Sequence, residues 1–370
     1  MVYDKFIQNA QLNAHDDREI IEWIPYDRFK DVKQIGKGGF ETIYYAKWIY
    51  KKIVEWDNGN QQWKRYRQKV EVALKKFDNF VNLNDVLNEM EIHLKTRYGE
   101  ASIRFYGITQ DPETHKYVMV LQYAKDGNLR EYLKANFNTI NWFQKLLNLY
   151  HLSYSQNFHP GNILSSDFKD SLEISDFGLS KLIGTNPNSY EKKNIFGVLP
   201  YIAPEVLSGD EEYSKAADVY SYGIIAYEIV TGFPPYPDIP HDNNLALKIC
   251  NGLRPKIPFH TPKLITRMIM RCWDARVTHR PTFKELTKEL NKYYIFYDDY
   301  LKERKNNDSE IGIQIEKAEE FSASQKSTNT TNTTPFNYRT HPKELEEFTK
   351  SMSDFCPSDS GQVDLDMSNF

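Results

Sequence analysis

The stretch Ile174-Ser175-Asp176-Phe177-Gly178-Leu179 carries the clearest chemical information in this chain. Asn162-Ile163-Leu164 lies a short distance before it, and Ala203-Pro204-Glu205 lies after it. If a hairpin brings Asn162 and Asp176 together, an amide oxygen and a carboxylate face the same point. Hard oxygen ligands of this kind suit Mg²⁺ on a nucleotide. The stretch therefore predicts a magnesium site for a ligand that carries phosphates.

A glycine-rich segment precedes these motifs, Ile35-Gly36-Lys37-Gly38-Gly39-Phe40-Glu41-Thr42-Ile43. It lies between two predicted strands. Its glycines, Gly36, Gly38 and Gly39, allow a tight turn to approach a triphosphate and to point backbone N–H groups at it. Glycine-rich hairpins are common, so this segment alone is a weak indication of phosphate binding.

A lysine ends the apolar strand Val72-Ala73-Leu74-Lys75. Such a lysine is usually just the edge of a strand, but after a glycine-rich hairpin it is expected to reach the α- and β-phosphates of a nucleotide. An acidic partner should follow on a helix. Within the predicted helix 84–97, Glu89 and Glu91 are the two candidates.

Further motifs follow toward the C-terminus: Asp218-Val219-Tyr220-Ser221-Tyr222-Gly223, Cys272-Trp273-Asp274 and His279-Arg280-Pro281. Together with the earlier motifs, in this order and spacing, they resemble the eukaryotic protein kinase domain over residues 29–294. The last two motifs resemble the closing helices of the tyrosine-kinase-like group. The segment 22–26 before this region and the segment 197–201 within it look like the expanded kinase family of arbuscular mycorrhizal fungi.

The resemblance implies an α+β, bilobal protein kinase fold, with a small β-rich N-lobe and a larger helical C-lobe. The expected organisation is an N-terminal extension 1–28, a kinase domain 29–297 (N-lobe 29–121, C-lobe 125–297) and a disordered tail 302–370. The tail contains the low-complexity run 329–334 and too few apolar residues to offset its conformational entropy. A polar insert at 48–69 is interpreted as a solvated hairpin loop.

The resemblance also implies a site for ATP and Mg²⁺. Lys75, held by Glu89 rather than Glu91, would orient the phosphates, while Asn162 and Asp176 would hold the metal. Gln122-Tyr123-Ala124 would be the hinge that forms hydrogen bonds with adenine, and Leu121 would be the gatekeeper before it. The residues implied to contact the nucleotide are Ile35, Gly36, Gly38, Gly39, Ile43, Ala73, Lys75, Gln122, Ala124 and Leu164. Away from this site, Arg280 would form a buried structural ion pair with Glu205.

The chain departs from the kinase pattern at two places near the phosphates. Glu41 stands where the third glycine of the loop belongs, so its carboxylate is expected near the phosphates. The catalytic loop, H-R-D-x-x-x-x-N in the family, reads Ser155, Gln156 and Asn157 before Asn162. The Asn157 amide oxygen can accept a hydrogen bond from a substrate hydroxyl but cannot take its proton. General-base participation is worth roughly 10²–10⁴-fold in rate, so the loop is degenerate at its most important position.

The catalytic loop is also preceded by too little chain. A helix begins at Trp142, with Asn141 as its N-cap and Gln144 at the reciprocal capping position, and only 152–156 remain for the helix end and turn. The family helix is longer by roughly three turns. Two explanations stay open: a pseudokinase whose loop has been shortened, or a sequence that has lost a short stretch through mis-splicing or a wrong gene model. The retained phosphate and metal ligands favour the second.

Composition narrows the location and the partners. A net charge of −4 gives no indication of nucleic acid or membrane binding. No run of apolar residues is long enough for a transmembrane helix, and the N-terminus lacks the apolar region of a secretion signal. The scattered cysteines, Cys250, Cys272 and Cys356, suit a reducing compartment. We therefore expect a cytoplasmic protein.

Two classes of function follow from the resemblance. The first is an ATP- and Mg²⁺-dependent kinase of serine or threonine in protein substrates, acting in signal transduction. The second is a catalytically inactive pseudokinase that binds nucleotide and acts as a scaffold for protein partners. A fold that no longer binds nucleotide is a third possibility.

Overall fold

A computed structural model describes most of the chain outside the C-terminal segment. The described residues are 2–14, 19–37, 41–49, 52–60, 62–66, 69–77, 87, 89–91, 93–94, 103–154, 163–165, 168, 173–174, 199–209, 214–303 and 308–326. The chain divides into two compact units. The first contains Met1–Gly127, Leu164–Asp167 and Glu173–Gly178, and the second contains Asn128–Ile163, Phe168–Leu172 and Leu179–Phe370.

The first unit is built on an antiparallel sheet that is extended by one parallel strand. Its strands are β1 (Glu22–Trp23), β2 (Phe29–Lys37), β3 (Glu41–Trp48), β4 (Lys52–Asp57), β5 (Gln62–Tyr66), β6 (Val70–Phe77), β7 (Phe105–Gln110) and β8 (Tyr117–Gln122). Six of them form one sheet in the order β1-β7-β8-β6-β3-β2, and β4 and β5 pair as a separate hairpin. This hairpin is the polar insert that the sequence predicts.

Alternation along the strands gives this sheet two different faces. On β6, Ala73 and Lys75 point to one face, while Val72 and Leu74 belong to the apolar cluster on the other. The first face packs on helical residues between 87 and 94. Full burial of each large apolar side chain in these clusters contributes about 1.5–3 kcal/mol. The sheet therefore presents Lys75 on the same face as the helix that carries Glu89.

The N-terminal extension is part of the first unit. Its helix α1 (Val2–Leu12) buries Ile7 and Ala10 in the same cluster as β7 and β8. Strand β1 pairs in parallel with β7, with Glu22 opposite Gly107. Gly107 has φ +147°, and a Cβ atom there would lie 1.9 Å from the Glu22 carbonyl oxygen. Only glycine allows this close approach.

The second unit is helical. Its helices are α2 (Leu129–Asn136), α3 (Trp142–Leu152), α4 (Pro204–Ser208), α5 (Lys215–Thr231), α6 (Asn243–Cys250), α7 (Lys263–Cys272), α8 (Phe283–Glu303) and α9 (Glu310–Lys326). Helix α5 is buried along almost its whole length, because most of its residues are apolar and they occur on all of its sides. It lies at the centre of the helical core. Shorter elements occur in both units. The 3₁₀ turns are Tyr26–Arg28, Phe137–Thr139, Leu199–Tyr201 and Val277–His279. The short strands are β9 (Gly127–Asn128), β10 (Ile163–Ser165) and β11 (Glu173–Ile174).

A disordered tail was predicted over 302–370, and the structure corrects this for residues 302–303 and 308–326, which are the described part of that segment. Helix α8 continues to Glu303, and α9 buries Ile311, Ile315 and Ala318 in the helical core. Their i, i+4, i+7 spacing places all three on one face, which is enough apolar surface to dock a helix. The composition of the long polar segment that follows concealed this pattern. Residues 327–370 lie outside the described residues.

Within the part of the chain that the structure describes, no helix combines the length and the apolar character that crossing a membrane requires.

Candidate functional site

Lys75 lies on β6 of the first unit, opposite Ile43 of β3 and Met119 of β8. Its side chain is only 4% exposed, and its Nζ lies 2.6 Å from Oε1 of Glu89. A buried ammonium is costly unless a partner with the opposite charge accompanies it. The contact with Glu89 that the sequence predicts is therefore present, and it holds the ammonium group at one position on the sheet.

A second carboxylate reaches the same ammonium group. Oε2 of Glu41 lies 2.7 Å from Nζ of Lys75. Glu41 is the first residue of β3, and it shares a face with Ile43 because the two are separated by one residue. Ile43 is directly opposite Lys75, so Glu41 is its diagonal neighbour. The sequence predicted a carboxylate near the phosphates but not this ion pair; the strand register, once known, would have indicated it.

Four apolar residues are expected around the nucleotide base, three of them on strands of this sheet and Leu164 on β10. Ala73 and Leu164 pack against the cluster that contains buried Leu121. Ile43 is half-buried, whereas Ile35 is 48% exposed on β2 and packs on little of the described chain. Gly36 pairs with Ile43. Gly38 and Gly39, the other two predicted loop glycines, lie outside the described residues.

The predicted hinge is held by backbone hydrogen bonds. The Gln122 N–H donates to the Arg104 carbonyl oxygen at 2.8 Å, and the Gly127 N–H donates to the Ala124 carbonyl oxygen at 3.1 Å. The ring of Tyr123 meets Tyr45 edge-on, with centroids 4.9 Å apart. These contacts order the segment that would face an adenine edge.

The predicted metal ligands and the residue at the position of the catalytic aspartate belong to segments that the structure does not describe. Asn157, Asn162 and Asp176 all lie outside the described residues. Among the residues that are described, no group of His, Cys, Asp and Glu side chains has the arrangement of a metal site.

Helix α3 begins where the sequence predicts. Asn141 Oδ1 accepts a hydrogen bond from the Gln144 N–H at 2.9 Å, which is the predicted N-cap. The helix ends at Leu152, and the Ser153 hydroxyl donates to the Tyr150 carbonyl oxygen at 2.6 Å. The carbonyl oxygens of Leu149, Tyr150 and His151 thus have hydrogen-bond partners at the end of this short helix.

The predicted structural ion pair is present in the second unit. Arg280 donates from Nη1 to Glu205 Oε1 at 2.6 Å and from Nη2 to Glu205 Oε2 at 2.8 Å. It also donates to the carbonyl oxygens of Ala216 at 3.0 Å and Asp274 at 2.9 Å. This bidentate pair ties the start of α4 to the residues before α8.

A second buried charge network was not predicted. The Tyr201 hydroxyl donates to the Glu228 carboxylate, and Arg130 donates to the Tyr201 oxygen and to Glu228. Burial raises the pKa of Glu228, and the nearby Arg130 opposes that rise. Tyr201 belongs to the segment 197–201 noted in the sequence, but nothing in that segment indicates its contact with Glu228, which lies 27 residues further along the chain.

Comparisons with known proteins agree with this fold. The family described as protein tyrosine and serine/threonine kinase matches residues 29–290. A probable serine/threonine-protein kinase of Dictyostelium discoideum is 27% identical over 291 residues, which cover 74% of this chain and 20% of that protein. The serine/threonine-protein kinase VIK of Arabidopsis thaliana is 28% identical over 287 residues, covering 71% of this chain and 60% of that protein.

A third relative has another printed specificity. The dual specificity protein kinase shkE of Dictyostelium discoideum is 35% identical over 154 residues, covering 41% of this chain and 21% of that protein. The matched region is therefore only about a fifth of the length of either Dictyostelium protein.

Proposed function

We propose that this chain, which belongs to the family of protein tyrosine and serine/threonine kinases, binds ATP with Mg²⁺ and transfers the γ-phosphate to serine or threonine of proteins. The observation that carries the proposal is the 2.6 Å ion pair between Lys75 and Glu89. In this family the lysine that corresponds to Lys75 binds nucleotide phosphates when a glutamate on a helix holds it in place.

The environment of Lys75 fits an anionic ligand. The Lys75 side chain is 4% exposed, so water contributes little to the solvation of its ammonium group, and an oxygen of a phosphate could take the place of a carboxylate beside it. The apolar side chains of Ala73 and Leu164 belong to the same unit and offer a surface for a flat base. The backbone of 122–124 would then meet the polar edge of adenine, which sets its orientation.

The metal would be held by Asn162 and Asp176. An amide oxygen and a carboxylate are ligands that suit Mg²⁺. When bound, the ion neutralises charge that develops on the phosphates during transfer. Lys75 would hold the α- and β-phosphates, and Glu89 would keep the lysine from moving with them.

In the transfer itself, the oxygen of a serine or threonine hydroxyl forms a bond to the γ-phosphorus while the bond to the β,γ-bridging oxygen breaks. The hydroxyl proton has to leave. Asn157 would accept a hydrogen bond from this hydroxyl and orient it, and the proton would pass to water or to a phosphate oxygen. Because positioning and charge provide most of the catalysis in phosphoryl transfer, slow transfer is compatible with an asparagine at this position.

A nucleotide-binding scaffold is the second candidate function. It is favoured by Ser155, Gln156 and Asn157 in place of the catalytic triplet, and by the end of α3 at Leu152. Its partners would be proteins that read the nucleotide-bound state. In either case the scattered cysteines point to the cytoplasm.

Phosphate transfer separates the two candidates. The purified chain is incubated with radiolabelled ATP, Mg²⁺ and a generic protein substrate, beside the variants Lys75→Met and Asp176→Ala. Incorporation into serine or threonine that both substitutions abolish supports the kinase. Binding of ATP without any transfer supports the scaffold, and transfer that survives both substitutions indicates a contaminating kinase and refutes the proposal.

A further inference from the structure

We propose that Glu41 is a built-in competitor for the nucleotide phosphates: its carboxylate occupies Lys75 until a phosphate displaces it. This inference rests on the proposed binding of ATP at Lys75 and concerns how that binding is controlled. Glu41 would lower the affinity for every phosphate-bearing nucleotide and make it depend on a divalent cation.

The geometry places two anions on one cation. Nζ of Lys75 lies 2.7 Å from Oε2 of Glu41 and 2.6 Å from Oε1 of Glu89. The contact with Glu89 is a hydrogen bond, and the contact with Glu41 is an ion pair. A lysine ammonium has three protons to donate, so two nearby carboxylates leave little of it for a third anion. Glu41 therefore occupies a direction in which a phosphate oxygen would bind.

The two carboxylates differ in how easily they can leave. The side chain of Glu89 is 13% exposed, whereas that of Glu41 is 30% exposed. Glu41 also begins β3, two residues after Gly39, the last glycine of the glycine-rich segment. Its carboxylate can turn into water and keep its solvation, whereas Glu89 would have to leave a more buried position. Glu41 is thus the partner that a nucleotide displaces.

The charge balance predicts a role for the cation. Among the described residues, the ammonium of Lys75 and the carboxylates of Glu41 and Glu89 sum to a charge of −1, and a free triphosphate adds further negative charge. The carboxylates and the phosphate oxygens carry the same charge, and such charges repel strongly when they lie close together with little water between them. A divalent cation on the phosphates removes part of that repulsion, so the penalty from Glu41 should be largest when the cation is absent.

Glu41 also has a use in the empty protein. A buried ammonium with one partner fewer is less well compensated, so Glu41 should stabilise the nucleotide-free state. Loss of its charge is expected to have two opposite effects, a lower melting temperature without ligand and tighter binding of nucleotide. Replacing a residue that only supports the fold would lower both the melting temperature and the affinity for nucleotide.

The test compares the unmodified chain with Glu41→Gln and Glu41→Gly. The control is Glu113→Gln, which removes a carboxylate from an exposed loop of the same unit. Binding of ATP, ADP and adenosine is measured by calorimetry in EDTA and in excess Mg²⁺, and the melting temperature is measured without ligand. Adenosine carries no phosphate, so its affinity reports on the base site alone.

We expect Glu41→Gln to raise the affinity for ATP and ADP about tenfold in EDTA, a coupling typical of such linked sites, with a smaller gain in Mg²⁺. Adenosine affinity and the control should not change. Equal ATP affinity of the unmodified chain and Glu41→Gln would overturn the inference and leave ATP binding intact. Weaker ATP binding by Glu41→Gln would also overturn it, because Glu41 would then help to hold the ligand or its metal. If adenosine and ATP bind to none of the proteins, the proposed function fails together with the inference.

Discussion

Replacing Arg280 by methionine should destabilise the helical unit severely. The substitution removes both hydrogen bonds to Glu205, at 2.6 and 2.8 Å, and leaves the Glu205 carboxylate, which is 9% exposed, without its cation. Breaking a buried pair in this way costs about 3–5 kcal/mol. The carbonyl oxygens of Ala216 and Asp274 also lose a donor, at roughly 1 kcal/mol each. The total of about 5–7 kcal/mol is comparable to the whole stability of many domains.

Urea unfolding, followed by the helical circular dichroism signal, measures this loss. Arg276→Met is the matched control, because Arg276 pairs with Asp274 at 3.3 Å and its side chain is 62% exposed. That surface pair should contribute less than about 1 kcal/mol.

The double variant with methionine at both Arg280 and Glu205 completes the cycle. It removes both buried charges at once, so it should be more stable than the sum of the two single losses predicts by at least about 2 kcal/mol. Strict additivity, or a loss below about 1 kcal/mol for Arg280→Met, would show that Glu205 finds water or another partner, and would refute the reasoning.

Other outcomes follow from single positions. Ile315→Ala in α9, where the side chain is fully buried, should lower stability by about 2–5 kcal/mol; a loss below about 0.5 kcal/mol in thermal unfolding would mean that α9 is not docked in solution. Gly107→Ala should cost much more stability than Gly209→Ala, because a Cβ at Gly107 meets the Glu22 carbonyl oxygen at 1.9 Å while one at Gly209 has open space; equal losses in urea unfolding would contradict this. Burial of Asp111 opposes its ionisation, but hydrogen bonds from Lys76 and from the Glu113 and Thr114 N–H groups lower its pKa to about 2. The pKa of Asp111 is lower in the folded than in the unfolded protein, so the ionised Asp111 stabilises the fold above about pH 4, and about 2 kcal/mol of stability is lost as the pH falls from 4 to 2. Asp111→Asn should remove this loss from the dependence of stability on pH. An unchanged dependence in Asp111→Asn would argue against the ion pair with Lys76.

Contacts carried by short motifs were accessible from the sequence. The partners of Lys75 and Arg280 were both predicted, because each motif combines a charged residue with a fixed place in a known order of strands and helices. Their geometry is now visible in the pairs with Glu89 and Glu205. The role of Lys75 in binding phosphate stays a prediction.

Contacts that depend on register or on distant segments were not accessible. The pair between Glu41 and Lys75 requires the pairing of β3 with β6, which places Ile43 opposite Lys75. The Tyr201–Glu228 contact joins a 3₁₀ turn to a buried helix. Neither leaves a local pattern in the sequence, since each is determined by tertiary packing.

The tail shows a different limit. The average hydrophobicity over the whole segment 302–370 is low, and this average conceals three apolar residues that are spaced for one helix face. Ile311, Ile315 and Ala318 needed to be considered by their period rather than by their fraction. The family match also ends at residue 290, before this helix begins.

Strand β1 protects an edge that would otherwise be open. The backbone of Trp23 and its neighbours covers the outer side of β7, with the Ile24 N–H donating to the Ile108 carbonyl oxygen at 2.8 Å. A chain trimmed to the family boundary at Phe29 would lose both this strand and α1, leaving the β7 edge bare beside newly exposed apolar side chains. Bare edges of this kind pair with one another between molecules. A protein shortened in this way should therefore aggregate during expression, and its failure would reflect the missing extension rather than a defect in the kinase domain itself.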